Sequence, residues 1–189
     1  DVPPEKLKDV CQVLKTEPAF DQNMLKLLRW TSEYYCHPLG VVFDAAIPRS
    51  SWKPKKRKSS QKSKEINFGI LGKECAQKPQ LTEEQKTALE EILSPTESRP
   101  ILLHGVTGSG KTEIYLRAVE AVLQEGKGAI ILVPEIALTP QLMGRFEARF
   151  PGQIAILHSD LTPVERSRQW EKAFTGAARV VVGARSAIF

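Results

Sequence analysis

Gly105-Val106-Thr107-Gly108-Ser109-Gly110-Lys111-Thr112 matches the pattern GxxxxGK[ST] in full, and its reading decides the fold. The glycines let backbone N–H groups turn inward around phosphates with no Cβ in the way. A helix opening at Lys111 aims its positive dipole end at the same anion. On this pattern Gly105, Val106, Thr107, Gly108, Ser109, Gly110, Lys111 and Thr112 bind a nucleoside triphosphate, with ATP the expected ligand. Lys111 bridges the β- and γ-phosphates, and the Thr112 hydroxyl takes Mg²⁺. Lys111 and Thr112 are thus the candidate catalytic residues, and Thr112 is the candidate metal ligand.

The pattern needs a strand before it and a helix after it. Ile101 to His104 supplies the expected strand, and Lys111 to Gln124 the helix. Beyond them the alternation continues, with strands expected at Ala129–Val133, Ile154–Leu157 and Arg179–Val182. The strands are short, continuous apolar runs, as strands buried on both faces are. Helix starts lie between them. Thr82-Glu83-Glu84-Gln85 and Thr162-Pro163-Val164-Glu165 have capping-box spacing, and Thr139-Pro140 pairs a cap with proline at the first helical position. Strands alternating with helices predict right-handed crossovers and a parallel sheet. The fold class is α/β, a P-loop NTPase (RecA-like) whose parallel sheet is flanked by helices.

Two regions precede this lobe. Residues 1–48 read as a small α+β segment. Leu7, Val10, Val13 and Leu14 have helical spacing, as do Met24, Leu25, Leu28 and Tyr35, with Asp21 as N-cap. Pro38-Leu39-Gly40 then breaks the helix, and Val41–Ile47 reads as a strand. Trp30, Tyr34 and Tyr35 lie at helical spacing, so core packing is their expected role, with base stacking as the alternative. Residues 49–78 read as a basic flexible linker. Seven of the 27 basic residues (Lys53, Lys55, Lys56, Arg57, Lys58, Lys62 and Lys64) fall in one acid-free stretch there. The net charge of +5 is therefore local, and the stretch either binds DNA phosphates or is a solvated linker.

Cys11, Cys36 and Cys75 are odd in number and form no CxxC pair. That argues against a disulfide framework or a zinc site and for inert thiols in a reducing cytoplasm. His37 and His158 lack metal-ligand spacing. No apolar run approaches the roughly 20 residues of a membrane helix. Asp1 and Phe189 read as cut ends, so a targeting segment could lie outside the sequence. A complete NTPase also needs a carboxylate at the end of a neighbouring strand. Glu135 is the nearest candidate and a poor one, because Pro134 ends the strand before it. Nucleotide binding is better supported than hydrolysis by this chain alone.

Several spaced motifs carry a resemblance. His104 to Tyr115, Val133-Pro134-Glu135-Ile136-Ala137-Leu138-Thr139-Pro140-Gln141, Leu157-His158-Ser159 and Val182-Gly183-Ala184-Arg185-Ser186-Ala187-Ile188-Phe189 together resemble the PriA family of replication-restart helicases (primosomal protein N′), within superfamily 2. Leu28-Arg29-Trp30 and Tyr34-Tyr35-Cys36-His37-Pro38-Leu39-Gly40 are similar to the end of that family's N-terminal DNA-binding domain. The resemblance implies an ATP-dependent DNA helicase that moves 3′ to 5′ and reloads the replisome at stalled forks. Its implied partners are forked and single-stranded DNA, the primosome and single-strand-binding proteins, with no membrane. It divides the chain into residues 1–48 (end of the DNA-binding domain), 49–78 (linker) and 79–189 (first helicase lobe, ending before Walker B). It implies that Gln85 contacts adenine, a residue already explained as the fourth position of a capping box. It places Thr139, Gln141, Arg185 and Ser186 in segments facing single-stranded DNA. For Thr139 the alternative is a helix cap, and for Arg185 a solvated loop charge. The family's second lobe and its cysteine-rich zinc region have no counterpart here, so zinc is expected only in the missing C-terminal part. About thirty residues between Pro48 and Leu81 are too few for the winged-helix domain the family usually carries.

Two other classes stay open at this point. One is a small P-loop kinase, although the Arg145/Arg149 and Arg166/Arg168 pairs read as exposed helix faces and not as an arginine-rich lid. The other is a non-catalytic DNA- or partner-binding module in which ATP is structural.

Overall fold

The computed structural model describes residues 20–47, 78–94, 99–134 and 139–189. The helix expected over Leu7–Leu14, the basic linker, Cys11, Cys75 and Glu135 lie outside the described residues. The chain divides into two compact units, residues 1–55 together with Phe189, and residues 56–188.

In the first unit, α1 (Gln22–Tyr34) starts where the Asp21 carboxylate accepts the Met24 N–H at 2.7 Å, the expected cap. It is followed by α2 (Leu39–Ala46), where the sequence reading had a strand. Pro38 does not break a helix there; it starts one, and its carbonyl accepts the N–H groups of Val41 and Val42. A short apolar run fits a strand or a buried helix equally well. Here the four-residue spacing of Val42 and Ala46 decides, because it puts both on one helical face against Leu28. Leu28 is fully buried, with Phe20, Met24, Phe43 and Phe189 packed around the cluster.

The aromatic residues of α1 are not core. Trp30, Tyr34 and Tyr35 are 53%, 66% and 63% exposed. They stack on one another, with Trp30 and Tyr34 centroids 4.8 Å apart and Tyr35 edge-on to Tyr34 at 4.9 Å. The reason is angular: Trp30 is two residues from Leu28, about 200° round the helix, so it faces away from the cluster. Trp30→Ala is accordingly expected to cost less than about 1 kcal/mol in urea unfolding, against about 3–5 kcal/mol for a buried tryptophan. Cys36 is a free, exposed thiol at a left-handed position (φ 51°) just after the helix.

The second unit is the α/β lobe. Its elements are α3 (Glu83–Leu93), α4 (Lys111–Gln124), β1 (Ala129–Leu132), α5 (Pro140–Arg149), β2 (Ile154–Leu157), α6 (Pro163–Phe174), β3 (Val180–Gly183) and a 3₁₀ turn over Arg185–Ile188. All strand pairs are parallel in the order β1-β3-β2. Val180 faces Ala129 on one side and Ile154 on the other. Central β3 buries Val180 and Val182 completely, and these pack with Leu116, Val119, Met143, Phe146, Phe150 and Ile154 into one core. Each such side chain contributes about 1.5–3 kcal/mol. Edge strand β2 is protected by α6, whose Gln169 Oε1 accepts the Ile156 N–H at 3.2 Å.

Ile101–His104 is not a strand in the structure. Among the described residues no strand pairs with it, so its backbone forms no ladder, and Leu102 is 90% exposed. In place of the expected strand there is a lead-in to the glycine loop with no regular secondary structure.

Candidate functional site

Three helices of the lobe begin in the same way. Thr82, Thr139 and Thr162 each accept a first-turn N–H, and Thr82 and Thr162 complete capping boxes with Gln85 and Glu165. Helix α4 does not. Its N-cap is Gly110, left-handed at φ 85°, with no side-chain cap. The orphan N–H groups of that helix end therefore have no side-chain acceptor from the cap, and the positive dipole end is bare. A glycine start with no capping side chain is the arrangement that receives an anion. Gly108 is left-handed as well (φ 84°), which folds the loop back over the helix end. The Lys111 ammonium lies in this loop, donating to the carbonyls of Gly105 and Val106, the latter at 2.7 Å. A Cβ on Gly105 would meet Ser109 Oγ at 2.8 Å, and one on Gly110 would meet Gln85 Nε2 at 2.5 Å. At Gly110 the left-handed backbone disfavours any side chain, and at Gly105 one would push Ser109 aside; the residues present fit a polyphosphate. Thr112 follows in the first turn of α4.

Gln85 serves two contacts. Its Oε1 accepts the Thr82 N–H at 3.0 Å, completing the cap, and its Nε2 donates to the Ser109 carbonyl at 2.9 Å. The capping box of α3 and the phosphate loop are therefore joined by one amide.

The loop's place relative to the sheet follows from Arg179. It lies one residue before β3 and donates to the carbonyls of Leu123 and Lys127 at the far end of α4. Helix α4 thus runs against the strands, and its glycine start lies at their carboxyl edge. That edge is where open α/β sheets bind ligands. Thr139 and Gln141 come after β1 at this edge, His158 and Ser159 after β2, and Arg185 and Ser186 after central β3. Arg185, Ser186, Thr139 and Gln141 are all exposed. Thr139 is a cap, accepting the Leu142 N–H at 3.3 Å.

One side chain departs from the sequence expectation. Arg149 is no exposed helix charge, because its side chain is only 5% exposed. Its Nη2 donates to both carboxylate oxygens of Glu113, at 2.9 and 2.8 Å, and its Nη1 donates to Glu120 at 3.1 Å. Glu113 also accepts from Arg117 at 2.8 Å, and Glu120 pairs with Lys78 at 2.9 Å. Burial alone would raise the Glu120 carboxyl, but hydrogen bonds from Lys78 and Arg149 outweigh it and hold it below the ordinary glutamate value. Burial likewise disfavours the Arg149 charge, and the two carboxylates overcome it. A sequence signal did exist: Arg149 lies inside the apolar spacing Met143, Phe146, Phe150, next to the buried stripe.

Residues 82–189 match the DEAD/DEAH box helicase model. The chain belongs to the DEAD/DEAH box helicase family. Residues 1–48 match a 3′ DNA-binding domain model. The replication restart protein PriA of Treponema pallidum (strain Nichols) is 41% identical over 182 residues, covering 96% of this chain and 26% of that protein. PriA of Bacillus subtilis (strain 168) is 55% identical over 112 residues, 58% of this chain and 14% of the relative. PriA of Chlamydia pneumoniae is 31% identical over 257 residues, 98% of this chain and 34% of the relative. The chain thus spans a minor part of the length of these relatives. The order of its two matched regions is that of a PriA, a DNA-binding segment followed by a helicase domain. The Chlamydia match extends over 257 positions although this chain has 189 residues, so that relative carries inserted residues which the Treponema match does not require. DEAD/DEAH box helicases use ATP and Mg²⁺, the ligands the phosphate loop predicts. Among the described residues no helix is long and apolar enough to cross a membrane.

Proposed function

We propose that the chain supplies the phosphate-binding half of an ATP-dependent DNA helicase that moves 3′ to 5′ and acts in replication restart, in a cytoplasmic protein. The observation that carries this reading is the bare glycine start of α4 at the same sheet edge as the exposed Arg185 and Ser186. One edge thus presents an anion cradle and a cationic loop. The backbone N–H groups of Gly105–Thr112 and the Lys111 ammonium hold the phosphates of ATP, Thr112 holds Mg²⁺, and Gln85 contacts adenine through its amide. Mg²⁺ neutralises charge that develops between the phosphates. Lys111 leaves the carbonyls of Gly105 and Val106 for the phosphates. Thr139, Gln141, Arg185 and Ser186 hold the backbone of a single strand, Arg185 as the phosphate partner. Among the described residues no cluster of three His, Cys, Asp or Glu side chains is placed to hold a metal. A complete site also needs a strand-end carboxylate, for which Glu135 is a poor candidate, so the chain by itself is expected to bind ATP weakly and to hydrolyse it negligibly. Forked DNA, the primosome, single-strand-binding proteins and a zinc-binding region belong to the full-length protein on this reading.

Arg185→Ala is expected to weaken single-strand binding by about tenfold and to reduce the salt slope of binding by about one counterion. Fluorescence anisotropy of a labelled oligonucleotide at several salt concentrations checks both. The function itself is tested by unwinding with the full-length protein and ATP. A duplex with a 3′ single-stranded tail should be opened and one with a 5′ tail left intact. Unwinding from the 5′ tail would contradict the direction, and phosphate transfer to a small acceptor without DNA would favour a kinase.

A further inference from the structure

Helix α5 has a different kind of contact at each end. Thr139 and Gln141 open it in the segment assigned above to the DNA strand. Arg149 closes it and grips Glu113 through two hydrogen bonds of 2.9 and 2.8 Å. Glu113 is the residue after Thr112, in the first turn of the phosphate-loop helix. Between the two ends, Met143, Phe146 and Phe150 pack with Leu116 and Val119 of α4 in the shared core. A packed core of this kind moves as a body rather than deforming. The guanidinium is held from both sides, by Glu113 and, two turns further along α4, by Glu120 at 3.1 Å. Its Nε has no acceptor among the described residues, so the two terminal nitrogens carry the grip, Nη2 on both Glu113 oxygens and Nη1 on Glu120. A charge-assisted contact at so little exposed a guanidinium is directional in a way that an apolar contact is not.

We propose that the Glu113–Arg149 pair is the positioning link through which strand binding at the start of α5 sets the phosphate loop, making ATP turnover depend on DNA. Glu113 and Arg149 touch neither ligand; they act through Lys111 and Thr112, the residues immediately before Glu113. The inference rests on the helicase reading, in which Thr139 and Gln141 contact the strand. Glu120 is its internal control. It binds the same guanidinium and shares in the same buried cluster, but it lies seven residues further along α4 than Glu113.

The test uses full-length protein, with ATPase measured at saturating ATP with and without single-stranded DNA, alongside thermal unfolding. Glu113→Gln and Arg149→Lys are chosen because both stay close to the native volume while removing the paired geometry. Each should lower the DNA-stimulated rate by about tenfold while the DNA-free rate changes less than about twofold, the size of an ordinary coupling between sites. Glu120→Gln should lower the unfolding temperature comparably and keep full stimulation. Retained stimulation in both Glu113→Gln and Arg149→Lys would overturn the link. Equal loss in Glu113→Gln and Glu120→Gln, in step with unfolding temperature, would overturn it too, because the cluster would then be only structural. A wild-type protein that DNA does not stimulate would instead sink the helicase reading on which the link depends.

Discussion

Lys111→Ala in the full-length protein is expected to lower ATP turnover by about 10²–10³-fold, the loss that follows removal of one preorganised charge-stabilising donor. The argument is local. The ammonium lies within the glycine loop, held by the Gly105 and Val106 carbonyls, and backbone N–H groups alone carry no full positive charge to replace it. Lys111 takes no part in the hydrophobic core, so the substitution should leave folding nearly unchanged. Phosphate release with and without single-stranded DNA, together with thermal unfolding, separates the two effects. Turnover within about tenfold of wild type would show that the loop does not carry the phosphate chemistry.

Gly183→Ala is expected to be the most damaging small substitution in the sheet. Gly183 ends the central strand, in register with Leu132 on one side and Leu157 on the other. A Cβ there would overlap the Leu157 carbonyl oxygen, a backbone atom that cannot rotate away, and would come within 2.6 Å of Ala187 Cβ. The strands must part or the 3₁₀ turn must lift, and overpacking of this kind costs about 1–3 kcal/mol. The turn begins at Arg185, so strand binding should weaken with stability. Urea unfolding and oligonucleotide binding measure the two losses. Gly40→Ala is the contrast, since a Cβ there meets nothing within 4 Å and alanine favours a helix. If Gly183→Ala were as harmless as Gly40→Ala, the described packing of β3 would be wrong.

What could be read from the sequence was what local chemistry determines. The caps at Asp21, Thr82, Thr139 and Thr162 depend on residues three or four apart, and all four occur where their spacing puts them. The phosphate loop depends on eight consecutive residues and on a helix start that glycine leaves bare. The parallel strands at Ile154–Leu157 and near Ala129 and Val180 were legible because each is a short run buried by helices. Most of the misreadings come from dependence on distant partners, and that of Trp30 from its angle round α1. Ile101–His104 has strand composition but no paired neighbour among the described residues. Val41–Ile47 is apolar enough for either structure, and only Leu28 selects the helix. Trp30 and Tyr34 have core composition but lie across α1 from the cluster. Arg149 reads as a surface charge until Glu113 and Glu120, 36 and 29 residues away, are brought to it. The adenine and strand-facing residues came from resemblance alone; Thr139, Gln141, Arg185 and Ser186 are exposed, whereas Gln85 is half-buried.

The central claim is that Gly105–Thr112 serves a DNA-driven motor. It is tested most directly by the steady-state ATPase rate of the full-length protein as single-stranded DNA is titrated in. The account predicts a rate that rises and saturates with DNA in the wild type and stays flat in Lys111→Ala. A wild-type rate indifferent to DNA would contradict it.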